Sequence, residues 1–212
     1  MKMVASRLTM NQLMLSNLYL GDNFEFINIK VKPFLLGYKK GYHIINLSFT
    51  QVQLKLLLKV IMNLVINRQK ILIVKELDSY GFSGLLRHQN IFYHDRKWIG
   101  GLLTNFRAVR RNKSLIRKNA VYSNDLTSLR YMPSLLFIFN TKISKWPLME
   151  AYNLEVPTGG VLNSSSDFLE LMNYPIIGNN KSFESIYLYV SLIKNAVHRG
   201  KQKERLKILR IL

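Results

Sequence analysis

Two short runs, Ile71-Leu72-Ile73-Val74 and Leu135-Leu136-Phe137-Ile138-Phe139, constrain the fold of this chain more than any other feature. Neither alternates apolar with polar residues, so neither fits a strand with one wet face. Continuous apolar character over strand length is what a parallel strand needs when helices cover both sides of its sheet. Helical patterns alternate with these runs. Leu54, Leu57, Leu58, Ile61, Leu64 and Val65 share one face at i, i+3, i+4, i+7 spacing, with Thr50 as the expected N-cap. Further helices are expected over Met10–Leu20 with Gly21 as C-cap, over Ser79–Gln89, over Gly101–Ile116, around Lys145–Asn153 and over Ser182–Val197. Tyr42–Leu47 and Ile91–Tyr93 read as strands, and Val156–Leu162 as one interrupted by Pro157 and Gly159-Gly160. Such alternation implies βαβ units. The expected class is α/β: a three-layer, flavodoxin- or Rossmann-like parallel sheet with helices on both faces. One domain over 1–197 with a basic tail at 198–212 is the economical division of the 212 residues.

Charge narrows the function. Against 31 Lys and Arg stand 12 Asp and Glu, a net charge of +19. Self-repulsion on that scale calls for a polyanion, with nucleic acid the first candidate and an anionic membrane surface the second. The chain has no cysteine, which excludes disulfides and thiolate chemistry. Its four histidines lack ligand spacing, so no metal site is expected. No apolar run reaches the ~18–20 residues of a membrane span; Leu54–Ile66 is broken by Lys55, Lys59 and Asn63. Neither a G-x-G-x-x-G nor a G-x-x-x-x-G-K-[ST] phosphate loop is present, so no nucleotide cofactor is expected. Glu150 alone, or His94 beside Asp95, does not assemble a nucleophile, base and oxyanion donor, and the chain reads as no enzyme.

The densest functional signal is Arg96-Lys97-Trp98-Ile99-Gly100-Gly101-Leu102-Leu103-Thr104-Asn105-Phe106, continuing through Arg107, Arg110, Arg111, Lys113, Arg117 and Lys118. A Gly pair leaves room for a close backbone approach. Cations flanking an aromatic ring offer phosphates charge and bases a stacking partner. No acid interrupts the basic run, and like charges one turn apart cost a helix tenths of a kcal/mol per pair unless something neutralises them. The expected RNA-binding set here is Arg96, Lys97, Trp98, Gly100, Gly101, Asn105, Arg107, Arg110, Arg111, Lys113, Arg117 and Lys118. A second basic set, Arg199, Lys201, Lys203 and Arg205 with Lys194, Lys207 and Arg210, has only Glu204 as counterweight. It reads as an arm along RNA or a neighbouring protein. An amphipathic helix through Leu206, Ile208 and Leu209, acting at a membrane, is its rival.

The motif around Trp98 resembles the tryptophan–glycine–glycine–leucine–threonine–asparagine segment of the small-subunit ribosomal protein two family. So do Met10–Gly21, Lys32–Gly37 with Gly41–Leu47, Pro133–Asn140, Glu150–Pro157 and Tyr174–Asn180, in family order over Met10 to Val197. The chain departs from the family pattern at Tyr19–Asp22, Phe26–Lys30, Ile73–Leu77 and Gly160–Asp167. Bacterial relatives carry a long helical hairpin between the Asn105 and Pro133 motifs. Only about 25 residues lie there in this chain, too few for two long helices at ~1.5 Å per residue, so that hairpin is expected to be truncated. This erosion, with a composition rich in Asn, Lys, Ile, Leu and Tyr, suggests a mitochondrial, organelle-encoded member. The resemblance implies a structural role at the head–body junction of the small subunit. Its partners would be small-subunit rRNA and neighbouring ribosomal proteins, with no small-molecule substrate, cofactor, metal or membrane. The rival from another class is a basic α/β enzyme acting on RNA, such as a methyltransferase.

Overall fold

A computed structural model describes residues 8–74, 89–94, 98–111, 131–140 and 145–209. The helix expected over Ser79–Gln89 falls almost wholly outside them.

Thr9 and Gln12 form a capping box at the start of α1 (Met10–Leu15). The helix stops well before Gly21, because Asn17 takes a left-handed φ of 56°. The Asn17 N–H then donates to the Met14 carbonyl at 3.0 Å and that of Leu18 to Leu13 at 3.2 Å, the paired closure of a Schellman turn. Gly21 lies instead in β1 (Leu20–Asn23). With β2 (Leu35–Lys39) and β3 (Tyr42–Ile45) it forms a small antiparallel sheet of order β1-β3-β2. The Tyr42 run is therefore a strand, but outside the parallel sheet.

The next helix, α2 (Leu47–Ile66), is capped by Asn46, whose side chain accepts from the Ser48 N–H at 3.1 Å. Thr50 is not the cap; it is buried one turn inside, donating its hydroxyl to the Ile177 carbonyl at 2.5 Å. By length and mean hydropathy of 1.5, α2 passes the composition test for a membrane span that shorter apolar runs fail. Its Leu54, Leu57, Ile61 and Val65 are nevertheless buried against the sheet and the last helix, the pattern of a core helix.

The parallel sheet follows: β4 (Ile71–Val74), β5 (Ile91–His94), then α3 (Phe106–Arg111), β6 (Leu135–Ile138), α4 (Lys145–Asn153), β7 (Thr158–Leu162), β8 (Tyr174–Ile177) and α5 (Phe183–Leu209). All strand pairs are parallel, in the order β5-β4-β6-β7-β8. This is the flavodoxin-like order, in which the first strand lies between the second and third. Alternate residues of each strand serve opposite cores. Ile71, Ile73, Ile91, Leu135, Phe137 and Val161 meet α2 and α5. Leu72, Val74, Phe92, Leu136, Ile138 and Leu162 meet α4 and the segment from Trp98 to Phe106. Both faces are dry, which is why the strand sequences show no polar alternation.

Gly159 and Gly160 do not interrupt β7. A Cβ at Gly160 would come within 2.6 Å of the Ile138 carbonyl oxygen, so the sheet is closed around its bare backbone. The closing helix also differs from the sequence expectation, running past Val197 to Leu209. At Gly200 it lies so close to α2 that a Cβ would sit 2.9 Å from the Met62 carbonyl oxygen. One turn on, Glu204 accepts from Arg68 Nε at 2.6 Å. These two contacts hold the basic end of α5 to the end of α2.

Candidate nucleic-acid interface

The segment from Trp98 to Asn105 is a string of turns organised by one carboxylate. Glu150 projects from α4, whose Leu148 and Ala151 are buried against the sheet, and is itself only 7% exposed. One of its oxygens accepts from Trp98 Nε1 at 2.9 Å and from the Gly101 N–H at 2.7 Å. The other accepts from the N–H groups of Leu103 and Thr104 at 2.8 and 3.2 Å. Four donors thus converge on one buried acid, which answers the cost of burying a charge. Glu150 is thus the anchor of these turns, a role that sequence alone did not assign to it. Its position in a mostly apolar helix stripe, in a chain poor in acids, is the signal that marks it.

Trp98 is 5% exposed, packed in the core with an edge-on contact to His94, ring centroids 5.1 Å apart. The stacking role expected of it does not fit this placement, because its ring faces are spent on packing. It positions the loop instead. Gly101 takes φ 90°, a backbone conformation costly for a side chain, while Gly100 is exposed, and a Cβ added there would meet nothing within 4 Å. The room expected at the Gly pair is therefore at Gly100.

Phe106, buried, anchors the start of α3, and Arg107 and Arg111 lie one turn apart and exposed on it. Asn105 is exposed, its N–H donating to the Gly101 carbonyl at 2.8 Å. Among the described residues the ion pairs are Lys30–Glu170, Arg68–Glu204 and Lys181–Asp22, and none uses Arg107 or Arg111. Both guanidinium groups thus lie exposed and outside these ion pairs. Arg96, Lys97, Lys113, Arg117 and Lys118, and the side chain of Arg110, lie outside the described residues.

The second basic set occupies the other face of the sheet. Arg199, Lys203 and Arg205 are exposed on α5 and Lys201 is half-buried, while Glu204 is turned inward to Arg68. The two sets do not form one surface: Trp98 to Phe106 belong to the core layer under α4, and α5 belongs to the layer with α2.

A third group went unread in the sequence. Asp22, 5% exposed, accepts from Asn163 Nδ2 at 3.0 Å and from the Ser165 hydroxyl, and pairs with Lys181 at 2.5 Å. Asn28 reaches the same loop, its N–H donating to the Ser164 carbonyl at 2.9 Å and its Nδ2 to the Ser166 carbonyl at 3.0 Å. The departures from family pattern at Tyr19–Asp22, Phe26–Lys30 and Gly160–Asp167 are thus in contact with one another, satisfying each other's polar groups.

Comparison with known proteins adds the lineage. The family described as Ribosomal protein S2 matches residues 13–125 and 112–200. A protein of Shewanella piezotolerans named small ribosomal subunit protein uS2 is 26% identical over 227 aligned residues, covering 92% of this chain and 93% of that one. Proteins of the same name from Baumannia cicadellinicola and Gluconobacter oxydans are 25% and 28% identical, covering 94% and 91% of this chain and 98% and 83% of their own lengths.

Proposed function

This chain belongs to the ribosomal protein S2 family, and we propose on that premise that it is a structural, non-catalytic component of the small ribosomal subunit. It binds small-subunit rRNA and neighbouring ribosomal proteins. The observation that carries the RNA reading is the loop held by Glu150, with Gly100 exposed on it, leading into α3, where Arg107 and Arg111 are exposed and take part in no ion pair among the described residues. Phosphate contacts of this kind fix register and orientation on RNA and carry little sequence information. Recognition follows shape, with the α/β body keeping the cations in place. By the basic run in the sequence, Arg96, Lys97, Arg110, Lys113, Arg117 and Lys118 are assigned to the same RNA contact, and Arg199, Lys201, Lys203 and Arg205 give a second contact from the basic end of the chain at 198–212.

The reading extends to a mitochondrial, organelle-encoded protein at the head–body junction. The eroded motifs, the Asn- and Lys-rich composition and the short interval between Asn105 and Pro133 support it. The family matches in two segments overlapping at 112–125, inside the interval where the hairpin is taken to be truncated. The test is sedimentation of separately prepared organelle and cytosolic lysates. The chain should travel with small subunits and leave them in high salt; a free monomer at low salt contradicts the assignment, and a peak with cytosolic subunits contradicts the compartment.

A further inference from the structure

The seam between α2 and α5 opens on the surface as a groove of about 540 Å³, lined also by Leu8 and Thr9. Its two walls have matched spacing. On α2 the wall steps from Lys55 to Met62, and on α5 from Leu192 to Arg199, each at i, i+3, i+4, i+7. The helices run in the same direction here, since Gly200 meets Met62 and Val65 and Glu204 meets Arg68 further along both. Each wall is therefore two turns long, roughly 10 Å at ~1.5 Å per residue. The floor is apolar, with Leu58 and Met62 half-buried and Leu192 buried. The rim is cationic: Lys55, Lys59 and Arg199 are exposed, and among the described residues no Asp or Glu lines the groove.

We propose that this groove docks an acidic amphipathic helix of a neighbouring small-subunit protein. Two parallel ridges with an apolar trough accept the apolar stripe of a third helix, the helix-in-groove mode of recognition. The occupant's sign follows from the rim, because carboxylates flanking its stripe meet Lys55 and Lys59 on one side and Arg199 on the other. An RNA backbone answers the rim but leaves the floor wet. The chain's own residues before Leu8 carry Lys2 and Arg7 and no acid, the wrong sign for this site.

The inference rests on the ribosomal reading, and the experiment separates the two. Photoreactive benzoylphenylalanine is placed at Asn195, which lines the groove, and small subunits carrying the chain are isolated and irradiated. The expected adduct is a peptide of another small-subunit protein with apolar residues at i, i+3 or i+4 spacing flanked by Asp and Glu. Adding Lys55→Glu and Lys59→Glu should lower its yield at least tenfold while the chain stays in the particle; Lys55→Arg with Lys59→Arg should preserve it. An adduct with rRNA, with a second copy, with residues 1–7 of the same chain, or with a peptide lacking acids overturns the proposal. So does the absence of any adduct in particles that retain the chain. A chain missing from small subunits altogether counts against the ribosomal assignment, and this inference falls with it.

Discussion

The loop and helix from Trp98 to Arg111 and the end of α5 from His198 to Leu209 carry the same kind of charge on opposite faces of one sheet, and they are fixed by different means. The first is an irregular segment whose backbone amides converge on Glu150. The second is regular helix whose order comes from its own hydrogen bonds, from Gly200 seated on α2, and from the Arg68–Glu204 pair. An irregular segment needs a partner for each buried amide, so one acid becomes indispensable. A helix has its amides satisfied already and needs only a place to pack. The difference is one of concentration: the first anchor resides in one side chain, the second is spread along a seam.

Removing the concentrated anchor should have the largest effect. Glu150→Ala leaves buried N–H groups without an acceptor, and a loss of about 3–5 kcal/mol is expected in urea or thermal unfolding. Amide exchange at Gly101, Leu103 and Thr104 should accelerate while α5 amides keep their protection; uniform loss would erase the distinction between the regions. Next comes Gly200→Val, which forces side-chain atoms into the Met62 carbonyl and Val65 and should cost about 1–3 kcal/mol. Here the exchange pattern should invert, with loss along the end of α5 and none at Leu103. Arg68→Ala follows, at no more than ~1 kcal/mol, because the Arg68 side chain is 69% exposed and solvent screens its pair with Glu204. A larger loss would mean that α5 too hangs on one residue.

The smallest effect is expected at Tyr189. Its hydroxyl is buried, with no hydrogen-bond partner among the described residues, and burial pushes its phenol up from the ordinary value. Tyr189→Phe should be neutral or stabilising by up to ~1 kcal/mol. Only the unfolded chain ionises this group near pH 10, so native stability should decline as pH rises past about 10, and the Phe variant should lack that component.

The parallel sheet was open to reading because burial on both faces writes itself into composition: Ile71–Val74 and Leu135–Ile138 carry no polar residue. Strands lacking that signature went unread. β1 contains Gly21 and buried Asp22, and β8 contains Pro175, so neither resembles a dry strand in isolation. Helix ends misled for a related reason. Asn17, Arg68 and Glu155 all take left-handed conformations after helices, work usually left to Gly, so a search for glycine places the first stop at Gly21. At the candidate interface the basic residues announced themselves, whereas the role of Glu150 did not, because its partners are mostly backbone amides with no sequence identity. Trp98 shows the same limit from the other side: an aromatic ring among cations reads as a stacking platform until its burial is known.

The central claim is that a rigid body offers unpaired Arg and Lys to rRNA phosphates, and the salt dependence of binding tests it most directly. Affinity of the purified chain for a small-subunit rRNA fragment is measured over a range of salt concentrations, for the native chain and for Arg107→Ala with Arg111→Ala. A steep linear fall of log affinity with log salt is expected, with the slope reduced by about 2 in the double variant and folding unchanged, since each phosphate contact contributes roughly one unit. A flat salt response, or a slope that both proteins share, would contradict the claim.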